Sequence, residues 1–151
     1  MTPQTMTPDP QFSALAGQIA GKYTLDVDLV CAIVEQESGW NPWAIRAEEK
    51  FFAKYVAPQF TAGKIDITEA RARAFSWGLM QVMGEVAREF GYVGDLPGLC
   101  LPSNGLEIGC RVFAHKLAVN QGSVKDALQA WNGGSNPSYA SEVLDRVKNY
   151  Q

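Results

Sequence analysis

Apolar residues recur along most of the chain at steps of three and four, the spacing of one helix face, and runs of strict apolar/polar alternation are nearly absent. Phe12, Leu15, Ala16 and Ile19 predict a first helix over Pro10–Lys22. A second starts at Asp26 or Asp28, either of which can cap it, and runs to about Ser38, where "GWNP" stops it. Its inward stripe is Val30, Ile33, Val34 and, against the pattern, Glu37. The charged and aromatic stretch 46–75 predicts two short helices separated by "APQFTAGK", with Thr68 capping the second, and leaves room for a small β-element within 51–75. Residues 79–90 read as a helix stopped by Gly91. Ser103 or Asn104 can cap the next, which carries Leu106, Ile108, Cys110, Val112, Phe113 and Leu117 to about Asn120. Ser123 caps "VKDALQAWNGG", and a last helix covers 137–150. About seven helices predict a mainly α, compact, single-domain fold.

Length and composition narrow this picture. With 151 residues, 46% hydrophobic and 19% charged, the chain can bury one core. Residues 1–10, rich in Thr and Pro, read as a flexible leader before a domain over 11–151. The leader lacks the basic and apolar regions of a secretory signal, and no run approaches the roughly 18 apolar residues of a membrane span, so no membrane insertion is expected. Net charge is −3 and the basic residues are scattered, which argues against nucleic acid as a partner. Three cysteines without a CxxC pair and one histidine give no metal site. Cys100 and Cys110 could pair across a short loop, whereas Cys31 reads as a buried small hydrophobe. His115 reads as a satisfied core residue without a role.

Glu37 then raises a chemical question. A buried, unpartnered carboxylate costs several kcal/mol, so it either finds donors or raises its pKa and keeps its proton, which makes it a general acid. Periodicity alone leaves open a second reading, in which the helix end has surfaced and Glu37 is solvated. Glu35 points nearly the opposite way.

Three ordered motifs bear on that choice: "ESGWNPWA" from Glu37, "GLMQ" from Gly78, and "AWNGG" from Ala130, followed by Tyr139. Together, over roughly residues 24–150, they resemble the soluble, Slt-like lytic transglycosylases, whose domain is related to goose-type lysozyme. The resemblance implies a lysozyme-like fold and a monomer that needs no metal or organic cofactor. Its substrate would be the β-1,4 bond between N-acetylmuramic acid and N-acetylglucosamine in peptidoglycan glycan strands, cleaved to 1,6-anhydromuramyl ends. Glu37 is the implied catalytic acid, and Ser38, Arg46, Ser76, Gly78, Met80, Gln81, Trp131, Asn132 and Tyr139 the implied substrate-binding set. Gly78 would let sugar or chain approach Glu37, Met80 would wall the cleft, Gln81 would bind an N-acetyl group, and Trp131 and Tyr139 are either ordinary core aromatics or stacking faces for sugar rings. Leu79 reads as core. Trp40 and Trp43 would pack to fix the exit from the helix, and Trp77 has no assigned role.

The chain departs from that pattern in places. Arg46 stands where the family commonly has Ser, and residues 46–75 are interposed before "SWGLMQ". The segment "NPWAIRAEEKFFAKYV" looks instead like a phage-associated or prophage-associated branch, which suggests an endolysin or virion-borne enzyme reaching the wall through a holin or the virion. Arg46 can hold Glu37 or substrate, or pair with Glu48 or Glu49. Trp131 replaces the usual Tyr. Met83 occupies the position of a goose-type aspartate, which favours one carboxylate over two. A hydrolytic muramidase is the nearest rival, and a noncatalytic wall-binding module or a DNA-binding helical domain the more distant ones.

Overall fold

The computed structural model describes residues 8–151, so most of the expected leader lies outside the described residues. The fold is mainly helical, with a small three-stranded sheet. Helix α1 (Pro10–Lys22) begins at the cap Asp9, whose carboxylate accepts from the Gln11 N–H. Helix α2 (Val27–Ser38) is capped by Asp26, which accepts from the Asp28 N–H. Leu29, Val30, Cys31, Ala32, Ile33 and Val34 are all buried, so α2 is wrapped on every side and is no one-faced stripe. It packs between α1 and α9 (Tyr139–Val147), while α7 (Pro102–Val119) lies against α1 and α8 (Val124–Asn132). Ile33, Leu106, Phe113 and Leu128 fill the space between them, each contributing about 1.5–3 kcal/mol by leaving water.

Gly39, in the left-handed region at φ 59°, ends α2 before "NP" is reached. Trp40 follows at φ 66°, a strained value for a side-chain-bearing residue. It is buried, and its indole N–H donates to the Tyr150 hydroxyl at 2.8 Å, bolting the end of α2 to the C-terminus. Trp43, expected to pack beside it, is instead 69% exposed.

The sheet corrects the sequence reading most. Strand β1 (Ile45–Ala47) pairs antiparallel with β2 (Phe75–Trp77), which pairs with β3 (Val82–Met83). Residues 79–83 are thus the tip and return strand of a hairpin, and only α6 (Gly84–Glu89) of the expected helix is helical. Positive φ at Gly78 and Gln81 turns the chain, and the Gln81 amide locks the tip by donating to Ala44 O at 2.8 Å and Gly78 O at 3.0 Å.

Between β1 and β2, α3 (Glu49–Phe51) runs through a π-helical turn (Phe52–Val56) into α4 (Ala57–Thr61), so "APQF" continues a helix instead of separating two. The π turn accommodates Pro58, which cannot supply an interior N–H. Helix α5 (Ile67–Arg73) is capped by Asp66, not Thr68, because the Asp66 carboxylate reaches the Glu69 N–H at 2.8 Å. The segment carries its own small core of Val56, Ala70 and Ala74, covered by Phe51, Phe52 and Ile65. Helix α7 starts without a side-chain cap, since Asn104 donates to Gly98 O instead. Ser123 does cap α8.

All three cysteines are free and buried, Cys100 and Cys110 included. Burial pushes the Cys31 thiol up to about 11 and that of Cys110 up to about 12. His115 is exposed, its ring edge-on to Phe90, and is not a core residue. Trp77 is buried and donates to Ala72 O at 2.9 Å. No helix among the described residues is long and apolar enough to cross a membrane.

Candidate active site

Three helix ends converge on one carboxylate. Glu37 lies in the last turn of α2, Trp131 in the last turn of α8, and Tyr139 opens α9. Gly133, in the left-handed region, ends α8 and lets the chain turn back toward α9. The Trp131 indole N–H donates to Glu37 Oε1 at 3.2 Å, and the Tyr139 hydroxyl donates to the same oxygen at 3.0 Å. Burial raises the Glu37 pKa, while the bonds from Tyr139 and Trp131 and the charge of Arg46 pull it back, and the rise prevails. Its position at a helix C-terminus further disfavours a negative charge. Tyr139 is 3% exposed, so it is a core aromatic and not a stacking face, and burial followed by the charge of Glu37 pushes its phenol upward, which keeps it a donor to Glu37.

Glu37 opens into a cleft of about 690 Å³. Of the residues singled out in the sequence, Arg46, Ser76, Gln81, Trp131, Asn132 and Tyr139 line it. Their roles differ from the simplest reading. Arg46 bonds Glu48 through Nε and Nη2 at 2.6 Å and acts on Glu37 only by its charge. Gln81 spends its amide hydrogens on the hairpin, which leaves its carbonyl oxygen for a sugar N–H. Trp131 uses its N–H on Glu37 and packs its ring edge-on against Phe113, 5.9 Å between centroids. Asn132 accepts from the Asn136 N–H at 2.8 Å and fixes the loop before Tyr139.

Ser38, Gly78 and Met80 lie behind the cleft. The Ser38 hydroxyl donates to Leu79 O at 2.8 Å and ties α2 to the hairpin tip. Gly78, at φ 71°, packs against backbone, since a Cβ there would stand 2.5 Å from Leu99 O. Met80 is wholly buried on α7, where Gly109 makes room for its thioether; it is core and not cleft wall.

The motifs did not point to Gln36, Glu48, Phe51, Met83, Lys116 and Asn136, all of which line the cleft. Met83 had been noticed only for the aspartate it replaces; its sulfur accepts from the Ser76 hydroxyl at 3.2 Å. Of the acids in α5 and α6 and the cap between them and α4, Glu69 pairs with Arg73 and Arg88, Asp66 caps α5, and Glu85 pairs with Arg73 at 3.4 Å, none of them lining the cleft. Glu48 is therefore the second carboxylate of the cleft.

A family model described as the transglycosylase SLT domain matches residues 14–147. The chain belongs to this family. Comparisons with curated proteins and with solved structures return no significant match. Membership gives the SLT chain its enzyme class, a lytic transglycosylase acting on peptidoglycan. The match begins within α1 and ends at the last residue of α9, so it spans all the elements that build the Glu37 cleft.

Proposed function

We propose that Glu37 is the one acid and base of a reaction that cleaves the β-1,4 bond between N-acetylmuramic acid and N-acetylglucosamine and leaves a 1,6-anhydromuramyl end. The observation that supports this most directly is the pair of donors on Glu37 Oε1 at the end of a desolvated helix. With Trp131 and Tyr139 occupying the lone pairs of Oε1, the proton of the neutral acid belongs on Oε2. Oε2 delivers it to the glycosidic oxygen as that bond breaks, while the substrate's N-acetyl group stabilises the anomeric carbon. Glu37, now ionised and held by its two donors, takes the proton of the C6 hydroxyl, whose oxygen closes on the anomeric carbon. No water is consumed. Tethering gives that hydroxyl an effective concentration that bulk water does not match.

Met83 at the goose-type aspartate position supports one carboxylate. A hydrolytic reading has one observation in its favour, Glu48 in the cleft, but Arg46 occupies that carboxylate. Mass analysis of muropeptides released from purified peptidoglycan tests the choice. Anhydro ends from the wild type and none from Glu37→Gln are expected; reducing ends carrying an added water would overturn the reading, and undiminished lysis by the variant would favour a noncatalytic module. The likeness of "NPWAIRAEEKFFAKYV" to a phage-associated branch supports a monomeric endolysin or virion-borne enzyme, delivered to the wall through a holin or by the virion. The expectations of no cofactor, metal or nucleic acid remain part of this proposal.

A further inference from the structure

We infer that Lys116 is a receptor for a carboxylate on the arm carried by muramic acid, and that it sets which of the two alternating glycan bonds reaches Glu37. The inference rests on the peptidoglycan reading above. Four charged side chains line the cleft: Glu37, Glu48, Arg46 and Lys116. Arg46 and Glu48 neutralise each other through contacts of 2.6 Å. Lys116 differs from the other three, since among the described residues its ammonium has no carboxylate within 4.0 Å and no hydrogen bond. It stands four residues after Val112 on α7, so the two share a face, and both line the cleft together with Trp131 and Asn132 of α8. An ammonium on the lining of the cleft, with its donors unspent, is suited to take an anion from the ligand.

Charge elsewhere gives that anion no help. The chain carries a net −3, and the other cation of the cleft, Arg46, is already paired with Glu48. An acidic substrate group therefore has one favourable position, at Lys116. In a glycan that alternates an acid-bearing sugar with a neutral one, a fixed carboxylate contact defines the register, and a slip by one sugar would lose it. The carboxylate has two sources, the peptide stem or the lactyl group exposed when the stem is removed.

The experiment compares wild type, Lys116→Met and Lys116→Arg on four substrates: stem-bearing glycan, stem-free glycan, and each of these with its carboxylates capped as methylamides. Total bond cleavage is scored as kcat/KM. Capping is expected to lower the wild-type value about fivefold, the scale of one ion pair in a half-open site, and to change Lys116→Met little, with Lys116→Arg restoring the wild-type response. Loss in Lys116→Met confined to stem-bearing glycan assigns the stem carboxylate, and loss on stem-free glycan the lactyl group. Equal effects of capping on wild type and Lys116→Met would overturn the inference. Anhydro ends, counted in the same wild-type digests, report on the proposed reaction separately, so the failure of one is not mistaken for the failure of the other.

Discussion

Replacing Gly78 by alanine separates two roles for the same residue. As part of "GLMQ" it was expected to let substrate near Glu37, whereas the fold sets it against the backbone of the turn at Leu99. Two penalties follow from the geometry. A φ of 71° costs a side-chain-bearing residue about 1–2 kcal/mol. The new Cβ would also stand 2.5 Å from Leu99 O and 3.3 Å from its carbonyl carbon, and because these are main-chain atoms next to α7 they cannot swing aside. Overpacking of this kind costs about 1–3 kcal/mol more. Together they reach about 2–5 kcal/mol, and at about 2–4 °C per kcal/mol the unfolding midpoint should fall by about 4–20 °C. Calorimetry measures the midpoint, and glycan cleavage well below it measures what function remains. A midpoint within about 2 °C of wild type, accompanied by lost cleavage, would refute the packing argument and return Gly78 to the substrate.

Further outcomes follow from the same geometry. Trp131→Phe keeps the ring but removes a donor that favours ionised Glu37, so the pKa of Glu37 should rise and the alkaline limb of the kcat/KM profile should move to higher pH; an unmoved or lowered limb would count against the 3.2 Å bond. Glu37→Gln should raise the unfolding midpoint at neutral pH. Because the folded pKa of Glu37 is raised, the fold loses stability as pH climbs from the ordinary carboxylate range through that pKa, and the gain from Gln should vanish at low pH where wild-type Glu37 is also neutral. Met80→Ala should cost about 2–5 kcal/mol in denaturant unfolding, the price of a core cavity, where loss of a cleft-wall residue would leave stability nearly unchanged.

How far the sequence could be read depended on whether the deciding signal was local. Helices α2 and α8 were legible because Asp26, Ser123, Gly39 and Gly133 act within a turn of themselves, and α1 because its apolar spacing is unbroken. The β2–β3 hairpin was not, because "LMQVMGEVA" has helical periodicity while its pairing partner β1 lies on the far side of residues 48–74. For Asp66 and Thr68, two sound capping residues two positions apart, local chemistry offered no decision. In the cleft, Glu37 and Tyr139 stand at positions that the family pattern carries, and Trp131 at one where that pattern has Tyr. That pattern treated "GLMQ" as one unit, yet a hairpin tip sends Met80 into the core and Gln81 into the cleft. Glu48 and Lys116 reach the cleft through tertiary packing alone, and no spacing announces them.

Ala47 and Phe75 are paired neighbours across β1 and β2, and the ladder continues outward as Glu48 N–H donates to Ala74 O at 2.9 Å. Everything between them leaves and returns through a single doorway and folds on the small core of Val56, Ala70 and Ala74. Since its ends already touch, closing such a loop costs little more at one length than at another. The stretch is a side lobe that shapes one rim of the cleft through Glu48 and Phe51, and it is moored to α6 by the pairs Glu69–Arg88 and Arg73–Glu85, so a change of its length is tolerated only where those moorings stay.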